Sequence, residues 1–338
     1  MTNEKVLAMR EAVLRAEQEQ IATLPTYDTE LEEFDTTVEL PLNGSDEKGG
    51  DGLPLKIIRR KNNEDDNNNN NNNNNTTSSQ RKENPRPLIL LFHGACYLAG
   101  TPNMLLRPGR ECALELDAVV LLATVRKAPE FRFPIPFQDG AYVAQWAVEK
   151  SCSFGADVEN GGGFVIGGYS AGAQIAAVVA GKRRELGLEN VVTGCFLGIP
   201  LVLGEEIVPE GLKGVWDEAE LMGEEEAQMK VVLDEMLGYL GADVRSEWFS
   251  PFNCEDGLKG FPAVYMQAGG KDILCRDAVV FEAALKEVDG PVKLDVYSQM
   301  GHAGYTIWAQ GNGEHNPPGL KEGTIDGMRW LLERGKGA

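Results

Sequence analysis

Long apolar runs are missing from this sequence of 338 residues. The longest candidates lie around residues 88–92 and 118–125, which is strand length and well short of the roughly 20 residues that span a membrane. The N-terminal segment mixes charges through every turn and has no apolar stretch of signal-peptide length. We therefore expect no membrane span and a cytoplasmic location.

Basic residues are also in short supply. The chain has 32 lysines and arginines against 52 aspartates and glutamates, which gives a formal net charge of −20. A field of that sign repels a polyanion, and no basic patch interrupts it. Nucleic acid is therefore excluded as an expected partner.

Cysteine pairs at metal-binding spacing are absent as well. Without a CxxC motif, neither a zinc site nor a dithiol redox site is expected, and buried free thiols are the expected state. The six cysteines are Cys96, Cys112, Cys152, Cys195, Cys254 and Cys275. Histidines number only three, so the candidates for a general base are few.

A regular alternation of short apolar strands and longer amphipathic segments begins near residue 87. Apolar strands separated by helices indicate a mostly parallel, doubly wound sheet that is covered on both faces. The predicted strands are 36–42, 53–59, 87–92, 118–125, 163–168, 191–198, 263–268 and 292–297, and the predicted helices are 136–149, 171–186, 223–240, 278–288 and 320–335.

Three segments fall outside that alternation. Residues 1–35 carry apolar side chains at helical spacing and are predicted as cap helices. Residues 60–86 contain an asparagine run and are predicted as a disordered loop insertion. Residues 204–252 interrupt two core strands and are predicted as an inserted cap segment. The α/β core then consists of 36–203 and 253–338.

The motif Gly168-Tyr169-Ser170-Ala171-Gly172 follows a predicted strand and opens a predicted helix. A GxSxG sequence at a strand-to-helix turn is typical of a nucleophile elbow, in which a sharp turn exposes the serine hydroxyl above the sheet. Ser170 is therefore the candidate nucleophile.

A serine needs a general base, and that base needs a group that orients it. His302 follows the last predicted core strand, whereas His315 lies in a polar, proline-rich stretch. Asp272 follows the preceding strand and is the candidate for the orienting carboxylate. Its rival, Asp277, is expected to cap the helix that follows it.

The segment after the first apolar strand is a candidate oxyanion hole. Backbone amides preorganised around an oxyanion stabilise the tetrahedral intermediate, and small residues let the backbone approach the substrate. The candidates are Gly94, Ala95 and Cys96, together with Ala171 after the nucleophile.

With these motifs the chain resembles the hormone-sensitive-lipase family of α/β-hydrolases, which includes arylacetamide deacetylase. The likeness covers residue 87 to the C-terminus. The family motifs HGGG, YRLAPE, GDSAGG and DxLRD are similar here to HGAC (His93 to Cys96), VRKAPE (Val125 to Glu130), GYSAGA (Gly168 to Ala173) and DILCRD (Asp272 to Asp277). The resemblance implies the α/β-hydrolase fold with a helical cap, hydrolysis of short or medium acyl esters, and no cofactor.

The chain departs from the family pattern in two of these motifs. Ala95 and Cys96 replace glycines, which narrows the expected oxyanion pocket, and Tyr169 replaces the acidic residue before the serine. Neither change removes a catalytic group. They suggest a specialised substrate.

Aromatic side chains near the expected mouth are candidates for the substrate pocket. These are Tyr97, Tyr169, Trp216 and Tyr305. By contrast, Arg126, Glu130 and Asp139 are expected to form ion pairs that fix the segment leading into a core helix.

The function predicted from the sequence is that of a carboxylic-ester hydrolase with a small-molecule ester as its partner. Cleavage of amides or lactones, and acyl transfer or cyclisation in secondary metabolism, use the same triad and stay open as alternatives. A non-catalytic small-molecule receptor on this scaffold is a further alternative, although a binding protein has no need to keep the base. The sequence does not fix the oligomeric state, and a homodimer is compatible with it.

Overall fold

The computed structural model describes residues 3–40, 52–61, 85–218, 224–302 and 317–334. Within these ranges one sheet of eight strands forms the centre of the protein. The strands are β1 (Leu31–Val38), β2 (Leu53–Arg60), β3 (Leu88–Phe92), β4 (Val119–Ala123), β5 (Phe164–Tyr169), β6 (Val192–Gly198), β7 (Ala263–Gly269) and β8 (Val292–Tyr297).

The strands are ordered β1-β2-β4-β3-β5-β6-β7-β8 across the sheet. Only the pairings of β1 with β2 and of β2 with β4 are antiparallel. The remaining neighbours run parallel, so the carboxyl ends of β3 and β5 to β8 lie at one edge. The predicted mostly parallel α/β sheet is confirmed.

Helices cover both faces of this sheet. Those in the described residues are α1 (Asn3–Thr23), α2 (Leu106–Leu116), α3 (Ile135–Lys150), α4 (Ala171–Gly181), α5 (Lys213–Glu218), α6 (Glu224–Leu240), α7 (Cys275–Glu287) and α8 (Leu320–Arg334). Successive side chains of a strand point to opposite faces. Thus Leu90 and Phe92 of β3 pack with α3 and α4, whereas Ile89 and Leu91 pack with α2 and α8.

Two elements differ from the prediction for physical reasons. Strand β1 begins at Leu31 rather than at the predicted residue 36. The prediction missed its first residues because an edge strand can carry charged side chains, and in the sequence these resemble the exposed side of a helix. Helix α2 was not predicted, since Pro108 and Gly109 stand near its start. Proline is tolerated in a first helical turn, and a Cβ at Gly109 would press against Leu122 of β4.

The predicted loop insertion at 60–86 falls largely outside the described residues. Its first residue, Arg60, is the last of β2, and Arg86 forms an ion pair with Asp117. In the 204–252 segment, α6 begins at Glu224, one residue from the predicted start. None of the helices in the described ranges combines the length and apolarity that a membrane crossing requires.

Candidate active site

The turn between β5 and α4 holds Ser170 in a conformation that side chains rarely adopt. Its backbone angles are φ +53° and ψ −122°, and such strain costs on the order of 1–3 kcal/mol. The turn closes because its flanking glycines lack a Cβ. A Cβ at Gly168 would collide with the backbone of Gly172, and one at Gly172 would collide with the Phe92 carbonyl.

Ser170, His302 and Asp272 come together at the carboxyl edge of the sheet. The Ser170 Oγ lies 3.0 Å from His302 Nε2, and His302 Nδ1 lies 2.8 Å from Asp272 Oδ2. Because the carboxylate only accepts, Nδ1 carries the proton and Nε2 is left to accept from the serine hydroxyl. The three residues that the sequence singled out therefore form one continuous chain of hydrogen bonds.

Burial and a further hydrogen bond hold the Asp272 carboxylate in place beside His302. Its Oδ1 accepts the Leu274 amide at 3.0 Å, and its side chain is 0% exposed, against 22% for His302. A buried, hydrogen-bonded carboxylate can hold an imidazole in one orientation and stabilise its cation. This is the geometry that a general base requires.

The expectation that Asp277 caps a helix is wrong. Helix α7 begins at Cys275, so Asp277 lies inside its first turn. The carboxylate instead accepts the amides of Val202 at 2.7 Å and Leu203 at 2.8 Å, in the segment after β6. Burial raises the pKa of Asp277 to about 7. Through its two hydrogen bonds Asp277 connects the first turn of α7 to the segment after β6.

The loop after β3 has three consecutive non-glycine residues with positive φ: Ala95 (+68°), Cys96 (+60°) and Tyr97 (+60°). The amides of Ala95 and Cys96 make no hydrogen bond to any described residue. The Ala171 amide is the first of α4, and the first amides of a helix have no intrahelical acceptor. These N–H groups are thus available as donors near Ser170.

Cys96 lines two cavities beside Ser170 and carries a thiol that could in principle act as a nucleophile. Burial raises the pKa of its thiol to about 11. Since the thiolate is the reactive form, a thiol in this state is a poor nucleophile at neutral pH.

Two cavities meet at Ser170, His302 and Cys96. The larger, about 260 Å³, is lined by α1 and by the loop after β3. The smaller, about 30 Å³, is lined by Ala171, by the loop after β7 and by three residues of α6, Val232, Leu233 and Met236. Ser170 therefore faces one large and one small cavity.

The structure places the predicted site and pocket residues in different locations. Tyr169 and Gly94, Ala95 and Cys96 line the larger cavity. Tyr97 does not line it, because its side chain lies in the core, where its hydroxyl donates to Gln174 and its ring packs on Phe137.

The other two pocket predictions lie elsewhere. Trp216, on α5, packs beneath the Arg276 guanidinium and away from the residues that line the two cavities. Tyr305 lies outside the described residues.

Sequence reasoning missed several residues that line the larger cavity. Met9, Val13 and Gln20 come from α1, and Ile199 follows β6. The helical spacing of Met9 and Val13 signals a buried face, but it does not say which surface that face covers.

The expected ion pairs fix the segment after β4, with one change of partner. Arg126 binds the buried Asp139 of α3 at 2.7 Å, whereas Glu130 binds Arg10 of α1 at 2.7 Å. The second pair therefore anchors the N-terminal helix. Within the described ranges, no group of three or more His, Cys, Asp or Glu side chains is arranged to hold a metal ion.

A family model of the alpha/beta hydrolase fold matches residues 89–306, which is more than half of the chain. The protein belongs to this family. The resemblance to the hormone-sensitive-lipase group and the predicted fold are confirmed. The match spans every residue of the candidate site that the sequence had singled out for catalysis.

Several curated relatives of this family member are named esterases. It is 28% identical to the versiconal hemiacetal acetate esterase of Dothistroma septosporum over 76% of this chain and 77% of that protein. The enzyme of the same name from Aspergillus parasiticus is also 28% identical, over 72% and 75% of the two chains. Esterase LipI of Mycobacterium tuberculosis is 26% identical over 64% of this chain and 67% of its own. These names agree with the enzyme class predicted from the sequence.

Solved structures share the fold at lower identity. Vibralactone cyclase superimposes with a TM-score of 0.72 at 22% identity, over 98% of this chain and 90% of that chain. An esterase from Rhizomucor miehei gives 0.70 at 19% identity, over 97% and 90%. At these identities the likeness is one of fold alone.

Proposed function

We propose that the protein is a carboxylic-ester hydrolase that works through an acyl-enzyme on Ser170. The observation that carries the proposal is the unbroken chain from the Ser170 hydroxyl through His302 to the buried Asp272, at 3.0 and 2.8 Å. The relatives named esterases support the same reaction class.

In the first step the Ser170 Oγ attacks the ester carbonyl, and His302 Nε2 takes the hydroxyl proton. The carbonyl π electrons move onto the oxygen and form a tetrahedral oxyanion. Asp272 stabilises the imidazolium that results. The imidazolium then gives its proton to the leaving alcohol as the C–O bond breaks, which leaves the acyl group on Ser170.

The oxyanion is stabilised by the free amides around the serine. The candidates are Ala95 and Cys96 from the loop after β3, and Ala171 at the start of α4. One such donor contributes about 10² to 10³ in rate in other acyl-transfer enzymes. The positive end of the α4 dipole adds to this stabilisation.

Water completes the cycle on the acyl-enzyme. His302 removes a proton from the water, the resulting tetrahedral intermediate collapses, and the acid leaves as Ser170 recovers its proton. No step requires a cofactor.

Short acyl esters fit the two cavities best. A volume of about 30 Å³ admits only a few heavy atoms, since one water-sized probe occupies roughly 10–15 Å³. The larger, mainly apolar cavity of about 260 Å³ accepts the bulkier arm of the ester. The N-terminal helix and the 204–252 segment act as the cap over both.

Lactone formation or acyl transfer on the same residues is the alternative, with a substrate hydroxyl in place of water. The likeness to vibralactone cyclase is a likeness of fold and does not choose between these outcomes. Product analysis separates them, because hydrolysis releases the free acid, whereas cyclisation gives a lactone whose ring oxygen comes from the substrate hydroxyl that attacks the acyl-enzyme.

The test is hydrolysis of p-nitrophenyl esters from acetate to laurate by the wild type and by Ser170→Ala, His302→Ala and Asp272→Asn. We expect Ser170→Ala and His302→Ala to lose activity to near background and Asp272→Asn to lose about 10³- to 10⁴-fold in kcat. Asp277→Asn is the matched control for the carboxylate and keeps kcat within a few-fold. Full activity in Ser170→Ala, or a larger loss in Asp277→Asn than in Asp272→Asn, contradicts the proposal.

A further inference from the structure

A line of hydrogen bonds runs from a third cavity to the loop that carries the candidate oxyanion donors. Lys127 lines this cavity, of about 440 Å³, together with residues of α1. Its Nζ lies 2.9 Å from Thr124 Oγ1, and the same hydroxyl lies 2.7 Å from His93 Nε2. His93 Nδ1 in turn lies 2.9 Å from the Gly94 carbonyl oxygen. Four groups are thus connected in series.

The direction of each bond follows from the chemistry of the carbonyl. Because the Gly94 oxygen can only accept, His93 Nδ1 must carry the proton, and Nε2 must accept from the Thr124 hydroxyl. The Thr124 oxygen then accepts from the Lys127 ammonium. Burial and the nearby Lys127 charge lower the pKa of His93 to about 3. His93 is therefore neutral at working pH and keeps this tautomer.

The last bond of the series sets the orientation of a peptide. In a trans peptide the C=O of one residue and the N–H of the next point in opposite directions. A hydrogen bond that holds the Gly94 carbonyl towards His93 therefore turns the Ala95 N–H away from His93. Ala95 lines the cavity that contains Ser170. The His93 ring is itself confined, because a Cβ at Gly100 would collide with it.

Lys127 makes no direct ion pair with a described carboxylate, and Glu17 and Asp139 act on its charge from a greater distance. Its ammonium donates to the Thr124 hydroxyl and, at 3.4 Å, to the Val125 carbonyl. Its half-buried position disfavours the charge. The family motif that this segment resembles has leucine at the same position, and leucine cannot donate. The ammonium and its bond to Thr124 are therefore features of this chain that the family motif lacks.

We propose that Lys127 is a positioning residue for oxyanion stabilisation, which acts through Thr124 and His93 on the Gly94–Ala95 peptide. The inference rests on the proposed ester hydrolysis at Ser170. A charged Lys127 polarises the Thr124 hydroxyl and strengthens each later bond of the chain, since hydrogen bonds in series reinforce one another. Loss of the charge loosens the peptide and weakens the Ala95 donor in the transition state.

This dependence on charge makes the reaction sensitive to alkaline pH. Burial lowers the pKa of Lys127 to about 8. As pH rises through that value the ammonium is lost, so kcat should fall. The charged and titratable groups that face Lys127 are Arg10 and Glu17 from α1, Asp139 from α3 and His93 at the end of β3.

The test compares kcat, KM and their pH profiles in the wild type and in Lys127→Met, which keeps the length of the side chain without its charge. We expect kcat to fall about tenfold, KM to stay within about twofold, and the decline of kcat near pH 8 to disappear. Lys259→Met, at an exposed site, is the control and should match the wild type.

A second variant separates positioning from simple packing. Lys127→Cys followed by alkylation with bromoethylamine restores an ammonium at the same reach, and it should recover most of kcat and the decline near pH 8. Alkylated wild-type protein is the control for the other thiols. If alkylated Lys127→Cys recovers the midpoint temperature of thermal unfolding but not kcat, Lys127 has only a structural role.

The outcomes distinguish this inference from the function it rests on. A wild type with Ser170-dependent turnover, in which Lys127→Met has normal kcat and an unchanged pH profile, overturns the role of Lys127 alone. A wild type that neither hydrolyses esters nor reacts with a fluorophosphonate at Ser170 overturns both.

Discussion

Ser170, Ala95 and Cys96 all lie at positive φ and line the same cavity, in which the proposed mechanism places the ester carbonyl. Three strained residues in contact with one site indicate that the surrounding core, and not local preference, holds them there. The buried core on both faces of β3 and β5 supplies that support. Rigid amides are what stabilisation of an oxyanion requires, because they need no reorganisation during the reaction.

Cys96 lines both site cavities, as Ser170 and His302 do. Replacement of Cys96 by glycine removes side-chain atoms that line both cavities and suits a residue at φ +60°. For Cys96→Gly we expect the ratio of kcat/KM for hexanoate over acetate to rise about tenfold, which corresponds to roughly 1.4 kcal/mol. Chain-length profiles of p-nitrophenyl esters measure this ratio.

Cys254→Gly is the matched control, since Cys254 lies outside both cavities. Its profile should match that of the wild type. An unchanged preference for acetate in Cys96→Gly would mean that Cys96 does not limit the acyl group.

At the scale of elements, α1 depends on a few polar contacts for its place over the site. Arg10 Nε donates to the Leu98 carbonyl at 2.8 Å, and Nη2 donates to the Ala128 carbonyl and to Glu130. The same helix supplies Met9 and Val13 to the larger cavity. The docking of α1 should therefore affect substrate binding more than bond cleavage.

For Arg10→Met we expect KM to rise about three- to tenfold, with kcat within about twofold. The variant loosens contacts that bind the substrate and the transition state equally, and it leaves the proposed catalytic groups unchanged. Arg15→Met, on the exposed side of the same helix, should leave KM unchanged. Steady-state kinetics on one short-chain ester measure both. A fall in kcat at constant KM would contradict a binding role for α1.

Asp277 connects helix α7 to the segment after β6, and its environment makes stability depend on pH. Burial raises the pKa of this carboxyl from 3.8 to about 7. The folded state therefore holds the proton more tightly than the unfolded chain does. The contribution of protonated Asp277 to the free energy of unfolding is complete below the pKa of the unfolded chain and is lost as pH rises through about 7.

For Asp277→Asn we expect this pH dependence of the free energy of unfolding to disappear. Its slope in the wild type is at most about 1.4 kcal/mol per pH unit. The amide oxygen of the asparagine can still accept from Val202 and Leu203. Urea unfolding at a series of pH values between about 5 and 8 measures the slope. A constant difference between the two proteins across this range would show that Asp277 stays ionised throughout.

The elements that the sequence predicted well are those with strong local signals. The strand and helix around Ser170 were predicted because a GxSxG turn needs that context, and β8 was predicted to the residue. Helix α2 was missed because proline and glycine near its start weaken the local signal, while contacts with β2 and β4 stabilise it.

The side chains that were misassigned depend on contacts distant in sequence. Asp277 resembled a helix cap, but its carboxylate accepts hydrogen bonds from amides about 75 residues away in the chain. Tyr97 resembled a pocket aromatic, but its side chain lies in the core against Gln174 and Phe137. Neither backbone angles nor long-range partners can be obtained from local sequence patterns.

At the scale of the whole molecule, the net charge of −20 should act on substrates before they bind. A negative field repels anionic esters, and salt screens it over a Debye length of about 8–10 Å. We expect kcat/KM for a succinate monoester to rise several-fold between about 20 and 300 mM salt, and that for a neutral ester of similar size to change less than about twofold. A fall for the anionic ester would reveal a local positive surface at the mouth.

The acyl-enzyme is the central claim, and intact mass spectrometry of the quenched protein tests it most directly. The protein is mixed with an activated acetate ester, stopped by acid within the first turnover, and digested to locate the modification. We expect one acetyl group, on Ser170, which is absent from Ser170→Ala. Acetylation at another residue such as Cys96 or Lys127 during turnover, or turnover with Ser170→Ala at the wild-type rate, would contradict the mechanism.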